Sequence, residues 1–156
     1  FRTPSKRIIN FLEYGSTKKD GGVFRYFKPT MMKNYPMQST AGDIQGITTA
    51  ALLPYLLANK DIVQMINEIH DSKWFLIKLE HINTVIPRLL SIIESAADLF
   101  RKQFKAEVPV EFKADAEIGL NFADLETWRA EHDYIQKFNH SNTRSGCGNN
   151  QAQHAS

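Results

Sequence analysis

The sequence predicts an α+β domain, an antiparallel sheet packed by two long helices. Three observations carry this. Short runs rich in β-branched and aromatic residues come in pairs around polar turns. Two longer stretches repeat apolar residues every three or four positions. The 156 residues are 42% apolar and 11% aromatic, enough for one modest core and too apolar for a disordered chain.

The elements follow in order. Residues 6–13 and 22–28 read as two strands, joined through the polar, glycine-flanked Tyr14-Gly15-Ser16-Thr17-Lys18-Lys19-Asp20-Gly21. Lys28-Pro29-Thr30 ends the second strand. Asn34-Tyr35-Pro36 predicts a turn, with Asn34 suited to cap the helix that follows over 37–57. Ile44, Ile47, Ala51, Leu52 and Leu56 give that helix its apolar face, and Pro54 is expected to kink it or loosen its last turn. Residues 62–69 and 73–80 form a second hairpin around His70-Asp71. The clearest helix covers 82–104, where Ile82, Val85, Ile86, Leu89, Ile93, Ala96, Ala97, Phe100 and Phe104 fall on one stripe. Val108, Val110 and Phe112 alternate with Glu111 and Lys113, predicting a strand over 108–116. Gly119-Leu120-Asn121-Phe122 is a turn, a short helix is expected within 123–138, and from Asn139 onward the polar composition predicts a disordered tail.

Charge is unevenly placed. Residues 1–37 hold eight basic groups against two acidic ones, a net of +6, which leaves −4 for the remainder of a chain whose total is +2. A basic front beside an acidic remainder suits an edge that meets a polyanion, and lysine-rich solvated loops have the same composition. No window approaches 18 apolar residues, which excludes a membrane-spanning helix. The lone Cys147 forms no internal disulfide and fits a reducing cytoplasm. Phe1-Arg2-Thr3-Pro4 carries neither an initiator Met nor a signal-like run, so a truncated or processed start is expected.

The segment with most chemical content is Asn67-Glu68-Ile69-His70-Asp71-Ser72. A carboxylate at the tip of a tight hairpin is held by backbone on both sides, which suits a ligand for a divalent cation. Aspartate is also common in turns for conformational reasons alone. About thirty residues earlier, Asn34 and Gln38 stand four apart, a spacing that projects two amides toward one surface. Lys6, Arg7, Lys28 and Lys33 are candidate phosphate contacts. His132, His140, Cys147 and His154 lack metal-site spacing.

These residues resemble a known family. Thr3-Pro4-Ser5-Lys6-Arg7, Phe27-Lys28-Pro29-Thr30-Met31-Met32-Lys33-Asn34-Tyr35-Pro36-Met37-Gln38, Ile69-His70-Asp71 and Glu117-Ile118-Gly119-Leu120-Asn121-Phe122 resemble, in order and spacing, the C-terminal palm segment of family A DNA polymerases of bacteriophage type. The resemblance runs from about Thr3 to about Leu125. It implies a partial polymerase domain with the palm portion over 1–126, its basic hairpin and connecting loop over 1–37, and a short helix and tail over 127–156.

The resemblance also implies roles. Asp71 is one of two carboxylates that hold a pair of Mg²⁺ ions about 4 Å apart for nucleotidyl transfer. His70 lies near the primer terminus. Asn34 and Gln38 touch the minor groove of the nascent pair, where every base offers an acceptor in a similar place. Lys6, Arg7 and Lys33 meet DNA phosphates. The partners are primer–template DNA, deoxynucleoside triphosphates and an N-terminal polymerase portion. One departure stands out: Ser72 follows His70-Asp71 where the family usually has Glu; Thr30, where many members carry arginine, follows the phage pattern. No second acidic strand motif and no fingers helix occur in the 156 residues, and one carboxylate cannot hold two metals. The leading expectation is a fragment or split subunit of a DNA-directed DNA polymerase, inactive by itself. The competing expectation is a non-catalytic remnant that binds DNA or serves as a structural module.

Overall fold

A computed structural model describes the backbone of residues 1–145 and the side chains of residues 1–139. The architecture is α+β, but its strands pair as three separate two-stranded antiparallel ribbons and do not join into one sheet.

The first ribbon pairs β1 (Tyr14–Thr17) with β2 (Val23–Tyr26). The expected strand over 6–13 is displaced. Residues 6–13 hold only one bridge, Arg2 to Ile8, and the ladder begins in the segment read as the connection. The turn explains the shift. Gly21 takes φ +83° and Asp20 Oδ1 accepts from the Gly22 amide at 3.1 Å, which closes the chain only a few residues beyond Thr17.

Helix α1 (Pro29–Ala58) starts eight residues before the expected position. Pro29 sits in its first turn, where the missing amide hydrogen is no loss, and Lys28 occupies the cap without a side-chain bond. Asn34 therefore lies inside the helix and is not its cap, and Pro36 interrupts the hydrogen-bond ladder without ending it. At 30 residues α1 spans about 45 Å. Its far end is closed by Asn59, whose amide side chain and backbone both donate to the Tyr55 carbonyl, at 2.8 and 3.1 Å.

The second ribbon pairs β3 (Val63–Ile69) with β4 (Ser72–Ile77) through the two-residue turn His70-Asp71, as the sequence predicts. Met65 faces Phe75 and Asn67 faces Trp74, so Ile66 is an extra residue that bulges the strand. The long stripe over 82–104 divides into α2 (Ile82–Glu94) and α3 (Ala96–Phe104). The break is at Ser95, with ψ near 4° and its hydroxyl donating to the Ile92 carbonyl at 2.7 Å. The stripe itself is correct, since Ile82, Val85, Ile86, Leu89, Ala96 and Phe100 are all buried.

Residues 108–116 do not form the expected strand. The segment runs beside α2 and α3, where the Glu94 carboxylate accepts from the Ala114 amide at 3.3 Å, and it joins none of the three ribbons. A small third ribbon joins β5 (Glu117–Ile118) to β6 (Glu126–Thr127) across the predicted turn. Gly119 is required there, because a Cβ would lie 2.4 Å from the Asp124 carbonyl oxygen. Helix α4 (Tyr134–Ser145) starts later than expected and carries regular structure past Asn139. Cys147 and His154 lie outside the described residues.

Two apolar clusters hold these elements. Leu52, Val63, Val85 and Leu89 lock α1, β3 and α2 together, with Tyr55, Phe75 and Ile77 around them. Ile82 and Ile86 pack with Tyr134 and Phe138, attaching α4. The buried Tyr134 hydroxyl is satisfied, accepting from the Arg129 amide at 2.8 Å and donating to the Thr127 carbonyl at 3.3 Å. Among the described residues, no helix is long and apolar enough to cross a membrane.

Candidate functional site

The hairpin β3–β4 is seated on α1 by three side chains. Register places Glu68 opposite Lys73, one step below the turn. The Lys73 ammonium contacts Glu68 Oε1 at 2.6 Å and donates to Thr49 Oγ1 at 2.7 Å, while Thr49 donates to Glu68 Oε2 at 2.9 Å. The Lys73 side chain is only 3% exposed, so its charge is taken out of water and needs both partners. Thr49 belongs to α1, so the triangle fixes the hairpin stem to the helix.

Beyond this triangle the tip is free. Ile69, His70, Asp71 and Ser72 are exposed. His70 sits at φ +53°, the left-handed region that closes the turn, and this sets the direction in which the next residue leaves. No hydrogen bond or ion pair engages the side chains of His70, Asp71, Asn34 or Gln38 among the described residues. The Asp71 carboxylate thus faces solvent from a stiff stem.

Asn34 and Gln38 lie one turn apart on α1, both exposed, on the same face of the helix. Relieved of capping, the Asn34 amide has both donors and its acceptor open. Val63 packs with Leu52 and Glu68 bonds to Thr49, so about 16 Å of strand advances only about 5 Å along α1 and the hairpin crosses the helix steeply. From Thr49 to Gln38 is about 16 Å of helix, while Asp71 lies in the turn just past Ile69, where the strand ends.

The basic residues separate into two kinds. Arg7 is committed: its guanidinium grips the Asp43 carboxylate through Nε at 3.1 Å and through Nη2, and Ser5 donates to the same carboxylate. Burial pushes the Asp43 carboxyl up, but the bonds from Arg7 and Ser5 outweigh it and hold the group below its usual value. This pair fastens the N-terminal arm to α1, so Arg7 offers phosphate a charge already offset. Lys6 and Lys33 are exposed, and their ammonium groups have no partner among the described residues.

Glu68 shows the same balance as Asp43. Burial raises its carboxyl, and the bonds from Lys73 and Thr49 together with the Lys73 charge prevail, so its pKa lies below the usual value of 4.5. A depressed carboxylate contributes stability that is complete above its unfolded pKa and is lost as pH falls through its folded one. Acidification below about pH 4.5 should therefore release the hairpin stem from α1. The carboxyl carbon shift of Glu68, followed with amide exchange in β3 and β4, checks this; exchange that stays level through the Glu68 titration would contradict it.

The triangle is what sequence reasoning missed, although Glu68 and Lys73 stand symmetrically about the His70-Asp71 turn and two-residue hairpin register makes them partners. Thr49 gave no such signal. Among the described residues no three His, Cys, Asp or Glu side chains converge, and a hard octahedral cation such as Mg²⁺ needs more oxygen than Asp71 alone supplies. No family model, no curated protein and no solved structure matches this chain.

Proposed function

We propose that the chain is the C-terminal palm portion of a DNA-directed DNA polymerase of family A, bacteriophage type, acting in the cytoplasm with an N-terminal portion that supplies the other catalytic carboxylate and the fingers. The observation that carries this is an exposed, unpartnered Asp71 at a two-residue hairpin tip whose stem is fixed to the helix that exposes Asn34 and Gln38. The order and spacing of Asn34, Gln38 and His70-Asp71 support the same reading.

In that enzyme each side chain has a distinct task. Asp71 would contribute one oxygen ligand toward Mg²⁺, which would supply charge stabilisation for nucleotidyl transfer, the remaining ligands coming from the N-terminal portion. Asn34 and Gln38 donate to purine N3 or pyrimidine O2, positions shared by all correct pairs, and so check pair shape without reading sequence. His70 hydrogen-bonds a sugar or phosphate at the primer end. Lys6 and Lys33 add salt-sensitive attraction to the duplex backbone. Ser72 has no carboxylate, so any auxiliary contact made by a glutamate there is missing. That substitution favours the second reading, a non-catalytic remnant that binds primer–template DNA.

Reconstitution decides between the two. Mixed with an upstream polymerase portion carrying the first carboxylate and the fingers, the chain should restore Mg²⁺-dependent extension of a labelled primer, with neither part active alone. A complex that assembles and binds primer–template but never extends it would leave only the remnant.

A further inference from the structure

Ribbon β1–β2 lies outside the site above and buries almost nothing. All of β2 is exposed, and in β1 only Tyr14 is half-buried. Register sets Tyr14 opposite Tyr26 and Ser16 opposite Phe24, and alternate residues share a face, so three rings line one side of the ribbon. Tyr14 and Tyr26 are 6.1 Å apart between centroids, and Tyr26 and Phe24 5.8 Å apart and within 12° of parallel. Phe24 is 53% exposed. The Tyr14 end of the row is closed by the Lys28 ammonium, 4.2 Å above that ring.

The surroundings are cationic. Lys18 and Lys19 project from the turn, and their ammonium groups have no partner among the described residues. Arg25 meets Glu13 only at 3.5 Å, with both side chains open to water. The nearby Asp20 is occupied in the turn through the Gly22 amide. Parallel flat rings in the open, flanked by unpaired ammonium groups, match unpaired bases strung on phosphates: every base has a face to stack, and each phosphate has a charge to meet. An acidic polypeptide would use the cations but would gain nothing from exposed ring faces.

We propose that ribbon β1–β2 is a stacking platform for single-stranded DNA, with Phe24 and Tyr26 receiving bases and Lys18, Lys19 and Lys28 receiving phosphates. The choice of DNA over RNA rests on the polymerase reading; the stacking chemistry does not.

Fluorescence anisotropy of a labelled oligothymidylate of about 16 nucleotides, titrated with the full chain, tests it. Phe24→Leu with Tyr26→Leu keeps apolar bulk but removes the flat faces, and should weaken binding at least about tenfold. Phe24→Tyr with Tyr26→Phe should bind like the parent. Lys18→Ala and Lys19→Ala should each lower the slope of log affinity against log salt by about 0.7. Asp71→Asn should leave this affinity unchanged, so loss of extension and loss of strand binding can be told apart. The proposal is overturned if the oligonucleotide does not bind, if the leucine pair binds as well as the parent, if RNA of the same length binds in place of DNA, or if polyglutamate displaces the oligonucleotide equally well.

Discussion

In the reconstituted polymerase, Asp71→Asn should lower primer extension by about a thousandfold while the affinity for primer–template stays close to that of the parent. The substitution is nearly isosteric and asparagine is at home in hairpin turns, so the β3–β4 tip keeps its shape. What changes is the ligand: a neutral amide oxygen replaces an anionic one on a hard cation. Metal stabilisation of developing charge is worth several kcal/mol, and about 4 kcal/mol corresponds to three powers of ten in rate. Binding is spared because Asn34, Gln38, Lys6 and Lys33 are untouched. Single-turnover extension with saturating DNA, alongside a binding titration, separates the two effects. Extension at the parental rate would remove Asp71 from the mechanism.

The second large effect concerns the seat of that hairpin. Leu52 is fully buried where α1 meets β3 and α2, beside Val63, Val85 and Leu89. Leu52→Ala should destabilise the chain by about 3 kcal/mol, combining lost transfer energy with the cavity left among neighbours that cannot all close in. Against a total of about 5–15 kcal/mol this is a large fraction. The same helix supplies the control. Leu53 is 52% exposed and Leu57 66%, so alanine at either should change stability by no more than about 0.5 kcal/mol. Urea denaturation of the three variants measures the rotation of α1 directly. A cost at Leu53 equal to that at Leu52 would show the helix turned otherwise.

Local rules made part of this fold legible. The hairpin around His70-Asp71 was readable because two apolar runs flank a polar pair and the connection is too short for anything else. The buried stripe from Ile82 to Phe100 was readable because its period is unambiguous over many turns, although Ser95 breaks it with a hydroxyl bond that periodicity does not register. Elements that depend on distant partners were not readable. Val108 to Phe112 alternate as a strand should, but an alternating segment becomes a strand only beside a free edge, and here it meets helices and the Glu94 carboxylate. Asn34 and Pro36 looked like a boundary because each favours one, whereas Pro29 had already started the helix.

The candidate site divides along the same line. Asp71, His70, Asn34 and Gln38 were identifiable by type and spacing, and each is found exposed. Arg7 was read as free because nothing local revealed Asp43, thirty-six positions onward, as its partner. The Thr49 contribution to the hairpin seat was equally hidden, since it joins the chain across a tertiary contact.

The left-handed backbone at His70 has a bearing on how its imidazole can be studied. Valine or isoleucine at this position would be forced into a conformation that branched side chains resist, and the adjoining aspartate would be re-aimed along with the peptide plane. Loss of extension from such a replacement in the reconstituted polymerase would report geometry, with no information about a hydrogen bond from the imidazole. Asparagine, which tolerates that backbone, and glycine, which is indifferent to it, are the replacements that isolate the ring's own contribution.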